Sequence, residues 1–388
     1  MGDIAKPKLI RTATVATSLD VLLKGQFFYF NSKFDVIAVS GNQSVLTKIA
    51  KREGITTRSV PMERSISILK DLNSLWALFL IFKKEKPLIV HSITPKAGLL
   101  SMIAAFFAHV PIRIHTFTGL IFPTRTGFMF FLLKNMDRLT CLFATKIIPE
   151  GQGVKRDLLR HKVTKKQLKV VANGNVNGIS SKEFSGANFS EDYLIKLKKE
   201  LKILETDIVF CFVGRIVGDK GINELIVAFM KLSSQYDHVK LLLVGDYERK
   251  LDPITSLNER EINENSQILS VGWQVDVRPY LAISDVFVFP SYREGFPNVV
   301  MQAGAMGLPC IVSDISGCNE IIKEGVNGMI IPPKNEKLLF MAMKYVLENE
   351  EHVSNMASVS RKIIVENYEQ QYVWEELLKE YNRLINSV

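Results

Sequence analysis

One carboxylate and two cations in this chain stand where a strand hands over to a helix, the place where a protein can best meet an anion. The carboxylate is Glu294, within PSYREGFPNVVMQAGAMGLP at 290–309. Val286 to Phe289 is short, β-branched and aromatic, and reads as a buried strand ended by Pro290. A polar turn from Ser291 to Glu294 follows. An apolar helix is expected from about Asn298 to Met306, with Pro297 in its first turn and Gly307 behind its last. Such a strand–turn–helix gathers free backbone N–H groups and a positive dipole end at one spot, which suits an anion. Glu294 is placed beside that spot, able to bind neutral hydroxyls, and Gln302 lies eight positions on, inside the helix. The two cations, Arg215 and Lys220, follow the strand Ile208 to Val213 and Gly214. They bracket the start of a helix marked by Ile222, Leu225, Ile226 and Phe229. Arg offers phosphate oxygens a planar fork, and Lys a movable point charge. The alternative for Glu294 is a surface acid in an ordinary βα turn.

The elements that must position these residues come in two blocks. Leu9 to Val15 reads as a first strand, running through Ser18 into a helix from about Leu22 to Asn31. Val36 to Val39, Leu88 to His91, Ile112 to Phe117, Lys146 to Pro149 and Leu168 to Val171 are the further strands of this block. The second block holds Ile208 to Val213, Lys240 to Val244, Ile268 to Val271, Val286 to Phe289, Cys310 to Val312 and Met329 to Ile331. Between the blocks lies NGNVNGI, Asn173 to Ile179, whose Asn and Gly residues tolerate left-handed backbone angles. Strands alternating with helices in this way imply an α/β protein of two doubly wound, Rossmann-like domains facing a cleft, divided at residues 1–178 and 179–371. His91 reads as a strand-end histidine held by a backbone partner, or as a catalytic one. His115 and Phe117 share one strand face while Thr118 points to the other, which gives His115 a structural reading.

Composition narrows the partners. The 388 residues suffice for two cores, and the net charge of +9 hides an asymmetry. Up to Gly178 there are 27 Lys+Arg against 10 Asp+Glu; beyond it the counts are 22 and 30. A basic half joined to an acidic half points to one half meeting an anionic partner. An anionic membrane surface is expected there, not nucleic acid. The apolar stretches of the basic half lie among Lys83, Lys84, Lys86, Arg125, Lys134 and Arg138, so a peripheral contact that high salt largely releases is expected. Cys141, Cys211, Cys310 and Cys318 form no metal-binding spacing, fit a reducing cytoplasm and read mostly as core residues. No signal peptide is read at the N-terminus, and no apolar run reaches spanning length.

Glu294 with the position of Gln302 resembles the E-x7-E signature of retaining glycosyltransferases of the GT-B fold, family four, with Gln in place of the second acid. Gly214, Arg215 and Lys220, about 80 residues upstream, resemble that family's pyrophosphate clamp. The resemblance covers nearly the whole chain and is strongest from Gly214 to Glu320. It implies that Glu294 contacts the donor sugar and Gln302 the ribose. Gly295, Phe296, Pro297, Asn298 and Val299 would complete this part of the donor site. Gly272 and Trp273 resemble the turn that holds the base, Trp273 having packing as its alternative. Gly317, Asn319 and Glu320 resemble the loop that closes beside the donor. In the basic domain the resemblance assigns Ser18, Lys24, Lys96 and Gly119 to the acceptor side of the cleft. Thr118 takes the place of a common donor-contacting His, as Thr-Gly-Leu does in some polysaccharide enzymes. The tail 372–388 is expected to pack back on the first domain.

The implied reaction moves a hexose or N-acetylhexosamine from a nucleotide-diphosphate sugar to a polyprenyl-diphosphate-linked surface saccharide of capsule or O-antigen type. The enzyme would be peripheral on the inner face of the cell membrane. The anomeric configuration is retained, by front-face return within an ion pair. No Asp-x-Asp occurs, so the leaving diphosphate is expected to meet Arg215, Lys220 and helix N-termini, without metal or other cofactor. A nucleotide-sugar epimerase and a non-catalytic sugar-nucleotide-binding module are the alternatives. Donor turnover with and without acceptor separates them.

Overall fold

The computed structural model describes residues 6–63, 65–249 and 252–388. The first five residues of the N-terminal stretch therefore lie outside the described part. The chain divides into two compact units, one running to Gly178 and taking in Gln370–Val388, the other Ile179–Glu369.

The first unit is built on β1 (Lys8–Thr12), β2 (Asp35–Ser40), β3 (Thr56–Ser59), β4 (Ile89–Ile93), β5 (Ile112–Phe117) and β6 (Lys146–Pro149). They form one parallel sheet in the order β3-β2-β1-β4-β5-β6. The second unit contains β7 (Ile208–Val213), β8 (Val239–Val244), β9 (Ile268–Ser270), β10 (Val286–Phe289), β11 (Cys310–Ser313) and β12 (Gly328–Ile331). Its sheet is also parallel, ordered β12-β11-β10-β7-β8-β9. Both sheets are doubly wound in the same sense, each reversing direction once, between β1 and β4 and between β7 and β10. Helices cover both faces, which is why β7 and β10 read as unbroken apolar runs and not as alternating ones. All four cysteines are buried, and burial pushes their thiols up.

Several elements depart from the sequence reading. β1 stops at Thr12, because the Thr14 N–H and hydroxyl both bond the Thr94 hydroxyl at 2.9 Å instead of continuing the ladder. The single helix expected from Leu22 is two, Ala16–Leu22 and Gln26–Asn31, parted at Gly25 with φ 81°. Leu168–Val171 is buried in part but pairs with no strand, the sheet being closed by β6. The edge strand β3, TTRS, is too polar and exposed to have carried a strand signal. His91 lies inside β4, and side chains hold it: its Nδ1 meets the Tyr381 hydroxyl at 2.6 Å and its Nε2 the Thr116 hydroxyl at 2.7 Å. Pro297 precedes the helix Asn298–Ala305 as its cap residue and does not enter the first turn.

The C-terminal helix Gln370–Ile385 belongs to the first unit, where Leu377 and Tyr381 enter the core beside Phe27, Phe30 and Phe34. Ala172, Gly174, Asn175 and Gly178 all have positive φ, so the segment leading out of the first unit uses the left-handed angles its composition permits.

Candidate functional site

In a doubly wound sheet the loops at the carboxyl ends of the strands flanking the reversal diverge and leave a crevice. In the second unit those strands are β7 and β10. β7 leads to Gly214, Arg215 and a short 3-10 turn, Gly218–Lys220; β10 leads to Ser291 and Glu294. The two loops touch closely. A Cβ on Gly221, φ 71°, would lie 2.2 Å from the Pro290 carbonyl oxygen, so only glycine allows the approach.

That approach brings Lys220 to Glu294. The ammonium and the Glu294 carboxylate form an ion pair, both side chains being 17% exposed. The Ser291 hydroxyl donates to the same oxygen, Oε1, at 2.8 Å. The Lys220 Nζ also lies 5.6 Å from the centre of the Phe289 ring, which shields the pair on one side. Arg215 is more exposed and is bound by Glu248. The two predicted cations are therefore held by different carboxylates. Around them Arg293 bonds Asp219 at 3.1 Å, and the Tyr292 hydroxyl donates to Glu224 at 2.6 Å. Burial first, and then this Glu224 contact, push the Tyr292 phenol well up, so it remains a donor. Sequence reasoning passed over Ser291, whose role shows only once the turn is folded back on Glu294.

A third loop closes the site. Gly317, φ 78°, lies so near the loop after β10 that a Cβ would stand 2.5 Å from the Gly295 oxygen. Glu320 accepts from the Gly317 N–H at 3.3 Å and so fixes this loop through the short helix Cys318–Ile321. Phe296 and Pro297 are buried, Asn298 and Val299 are half-buried at the helix N-terminus, and Gln302 is half-buried about one turn further in. The Gln302 amide makes no hydrogen bond among the described residues. Gly272 carries φ 67°, and the Trp273 N–H donates to Asp246 at 3.0 Å. Trp273 is 65% exposed, which removes its packing alternative.

In the first unit the reversal lies between β1 and β4. Ser18 stands half-buried in the helix Ala16–Leu22, and Lys24 is exposed just beyond it. Lys96 sits at the start of the helix Pro95–Phe107, but its ammonium is buried against Asp71 at 2.7 Å. It thus positions the loop before the helix Ile68–Glu85 as well as its own. Thr118 and Gly119 follow β5, both half-buried. His115 is packed edge-on against Phe117 at 4.5 Å and meets Ser92 at 2.8 Å. Burial pushes its imidazole down to about 3, so it is neutral and structural.

Residues 195–363 match the family model described as glycosyl transferases group 1, and residues 32–174 the one described as glycosyl transferase 4-like domain. The chain is 32% identical to the capsular polysaccharide biosynthesis glycosyltransferase CapM of Staphylococcus aureus, over 97% of each. It is 30% identical to the UDP-Gal:alpha-D-GlcNAc-diphosphoundecaprenol alpha-1,3-galactosyltransferase of Escherichia coli, over 78% of this chain and 77% of that protein. Among solved structures, Alr3699/HepE of Anabaena in complex with UDP superposes with a TM-score of 0.80 at 16% identity, covering 97% of this chain and 100% of that one. A glycosyltransferase of Rickettsia africae gives 0.81 at 20% identity, covering 99% and 100%.

Proposed function

Since this chain belongs to the family-four glycosyltransferases of the GT-B fold, we propose that it moves a hexose or N-acetylhexosamine from a nucleotide-diphosphate sugar to a polyprenyl-diphosphate-linked saccharide of a growing surface polysaccharide. The observation that carries the reading is the ion pair of Lys220 and Glu294 at the reversal of the second sheet. It sets a cation for the diphosphate beside a carboxylate for sugar hydroxyls, at the carboxyl edge where doubly wound sheets take their ligands. The relatives named for capsular polysaccharide and for a diphosphoundecaprenol acceptor support the acceptor class.

As the glycosidic bond to the diphosphate breaks, negative charge grows on the leaving oxygens. Lys220, Arg215 and the N-terminus of the helix Asn298–Ala305 are the groups we assign to that charge. They make a metal unnecessary in this reading. Glu294 holds the sugar by its hydroxyls, and Thr118 is assigned to the sugar on its family position. The acceptor hydroxyl then attacks from the face the diphosphate leaves, passing its proton to the departing phosphate, which retains the configuration. We assign Gln302 to the ribose, Gly272 and Trp273 to the base, and the basic first unit to an anionic membrane surface on the cytoplasmic side.

The test is turnover of UDP-sugars with and without an undecaprenyl-diphosphate-linked sugar, followed by mass spectrometry and by NMR of the new anomeric proton. Acceptor-dependent transfer with retention, unaltered by EDTA, is expected. Release or isomerisation of the sugar at equal rate without acceptor would overturn the reading.

A further inference from the structure

Arg11 stands inside β1, opposite His91 of β4, and is only 2% exposed. A guanidinium keeps its charge in proteins, so the first sheet buries a permanent cation. Its partners are neutral: Nη1 donates to Gln26 Oε1 at 2.6 Å and to the Tyr381 hydroxyl at 3.1 Å. Nε is buried and has no partner among the described residues. Burial lowers the pKa of the group, and what opposes this is the Tyr381 hydroxyl, not a carboxylate. A buried charge without a counter-charge is among the costliest features a fold can carry.

A cavity of about 20 Å³ adjoins this cation, room for one small ion or one water. Arg11, His91, Thr116 and Glu150 line it, with Val176 and Leu377 among its apolar walls. All of them belong to the first unit, where the C-terminal helix Gln370–Ile385 meets the sheet.

The direction of the hydrogen bonds sets what the cavity presents. Arg11 can only donate, so the Tyr381 oxygen accepts from it. The Tyr381 proton then has one acceptor among the described residues, Nδ1 of His91 at 2.6 Å. His91 is neutral, because burial and then Arg11 lower it well below its ordinary value. Its proton therefore sits on Nε2, which donates to Thr116 Oγ1 at 2.7 Å. The Thr116 hydroxyl makes no other hydrogen bond among the described residues, so its own proton remains to be given. The series of donations starts at a cation and ends at an O–H, and both ends line the cavity. Two donors without acceptors require an acceptor, and the unmatched charge requires a negative one.

We propose that this cavity binds one halide-sized monovalent anion, held by the Arg11 Nε–H and the Thr116 hydroxyl. One charge matches one guanidinium; phosphate and sulfate are too large and too highly charged for the space. The anion completes the seat of the C-terminal helix, since Tyr381 hangs on the same guanidinium and Leu377 closes the cavity. The inference does not depend on the glycosyl-transfer reading.

Thermal melting of the full chain tests it, with chloride replacing gluconate at constant ionic strength. The wild type should gain about 2–4 °C, saturably, because a ligand bound only by the folded state stabilises it by mass action. Arg11→Met should lose this gain. Thr116→Val keeps the cation and the packing volume, and decides the matter if Arg11→Met does not fold. It should need about tenfold more chloride for half the gain, the low end for a hydrogen bond to a charged group. Wild-type crystals grown with bromide should show an anomalous peak beside Nε. An equal chloride response in the wild type and the variants would mean a general salt effect and overturn the site. A water shared with Glu150 in place of bromide would overturn it too, leaving the cavity merely hydrated. A bromide peak with no chloride-dependent melting would mark binding at crystal concentration only, and would equally discard the site.

Discussion

Lys220 and Ser291 meet on one oxygen of Glu294, the ammonium from the loop after β7 and the hydroxyl from the turn after β10. The other carboxylate oxygen, Oε2, takes no hydrogen bond among the described residues. The pair therefore locks two loops together while leaving one strong acceptor open. Under the proposed function, a diphosphate arriving at Lys220 would compete with Glu294 for the ammonium, and the carboxylate so released would regain capacity for the sugar, which would couple the binding of the two ends of the donor.

Replacing Lys220 by Ala should lower kcat by about 10²–10³, the usual cost of removing one donor from a developing anion. Lys220→Arg should recover part of it. Donor-saturated rates, with circular dichroism as a check on folding, decide the matter. A kcat near that of the wild type would remove Lys220 from the clamp.

Ser291→Ala deletes one bond to an ionised carboxylate, which Lys220 partly makes good. The expected loss in kcat/KM is about tenfold, at the low end of the 1.5–3 kcal/mol typical of charged hydrogen bonds. In a Lys220→Ala background the same change should cost more, because nothing else then orients Oε1. A double-mutant cycle reads this coupling; strictly additive losses would mean that the two do not act through Glu294.

The loops that carry Glu294 and Lys220 were legible in the sequence because their signals are local. Val286 to Phe289 followed by Pro290 marks a strand end, and the spacing from Ile222 to Phe229 marks a helix start, so Glu294 and Lys220 could each be placed on a loop after a strand before any coordinates, though not against one another. What escaped was non-local. Ser291 acquires its partner only when its turn folds back. The pairing of Lys96 with Asp71 joins residues 25 apart, and periodicity says nothing of it. β3 was missed because an exposed edge strand needs no apolar run, and Leu168–Val171 was read as a strand because buried extended chain carries the same pattern without a neighbour to pair with.

Gln302→Glu should restore the acid of the family signature and keep activity within about tenfold. It exchanges an amide, with one acceptor and one donor group, for a carboxylate that can accept from both ribose hydroxyls, but adds a negative charge near the diphosphate. Opposing shifts in donor KM and kcat are expected. If neither parameter moved, Gln302 would not touch the donor.

The last prediction concerns pH. His115 is fully buried beside Phe117 and Ser92, and burial holds its imidazole near 3 against an ordinary value of 6.5. His91, equally buried and near Arg11, is also lowered. In the unfolded chain both take up a proton as pH falls through about 6.5, whereas in the folded chain they do not. The unfolded state therefore binds more protons, and stability declines as pH falls from about 6.5 towards 3. His115 costs about 1.4 kcal/mol per pH unit within that window, and His91 adds to the loss in the same direction. Above 7 the effect vanishes, since both states are neutral. Urea-denaturation midpoints should fall for the wild type between about pH 7.5 and about pH 5, on either side of the ordinary histidine value of about 6.5. His115→Leu should show a shallower decline, whatever its absolute stability beside Gly98, which packs so closely on the His115 ring that a Cβ there would lie 2.4 Å from it. An equal slope in the two proteins would mean that His115 opens to water and protonates without unfolding.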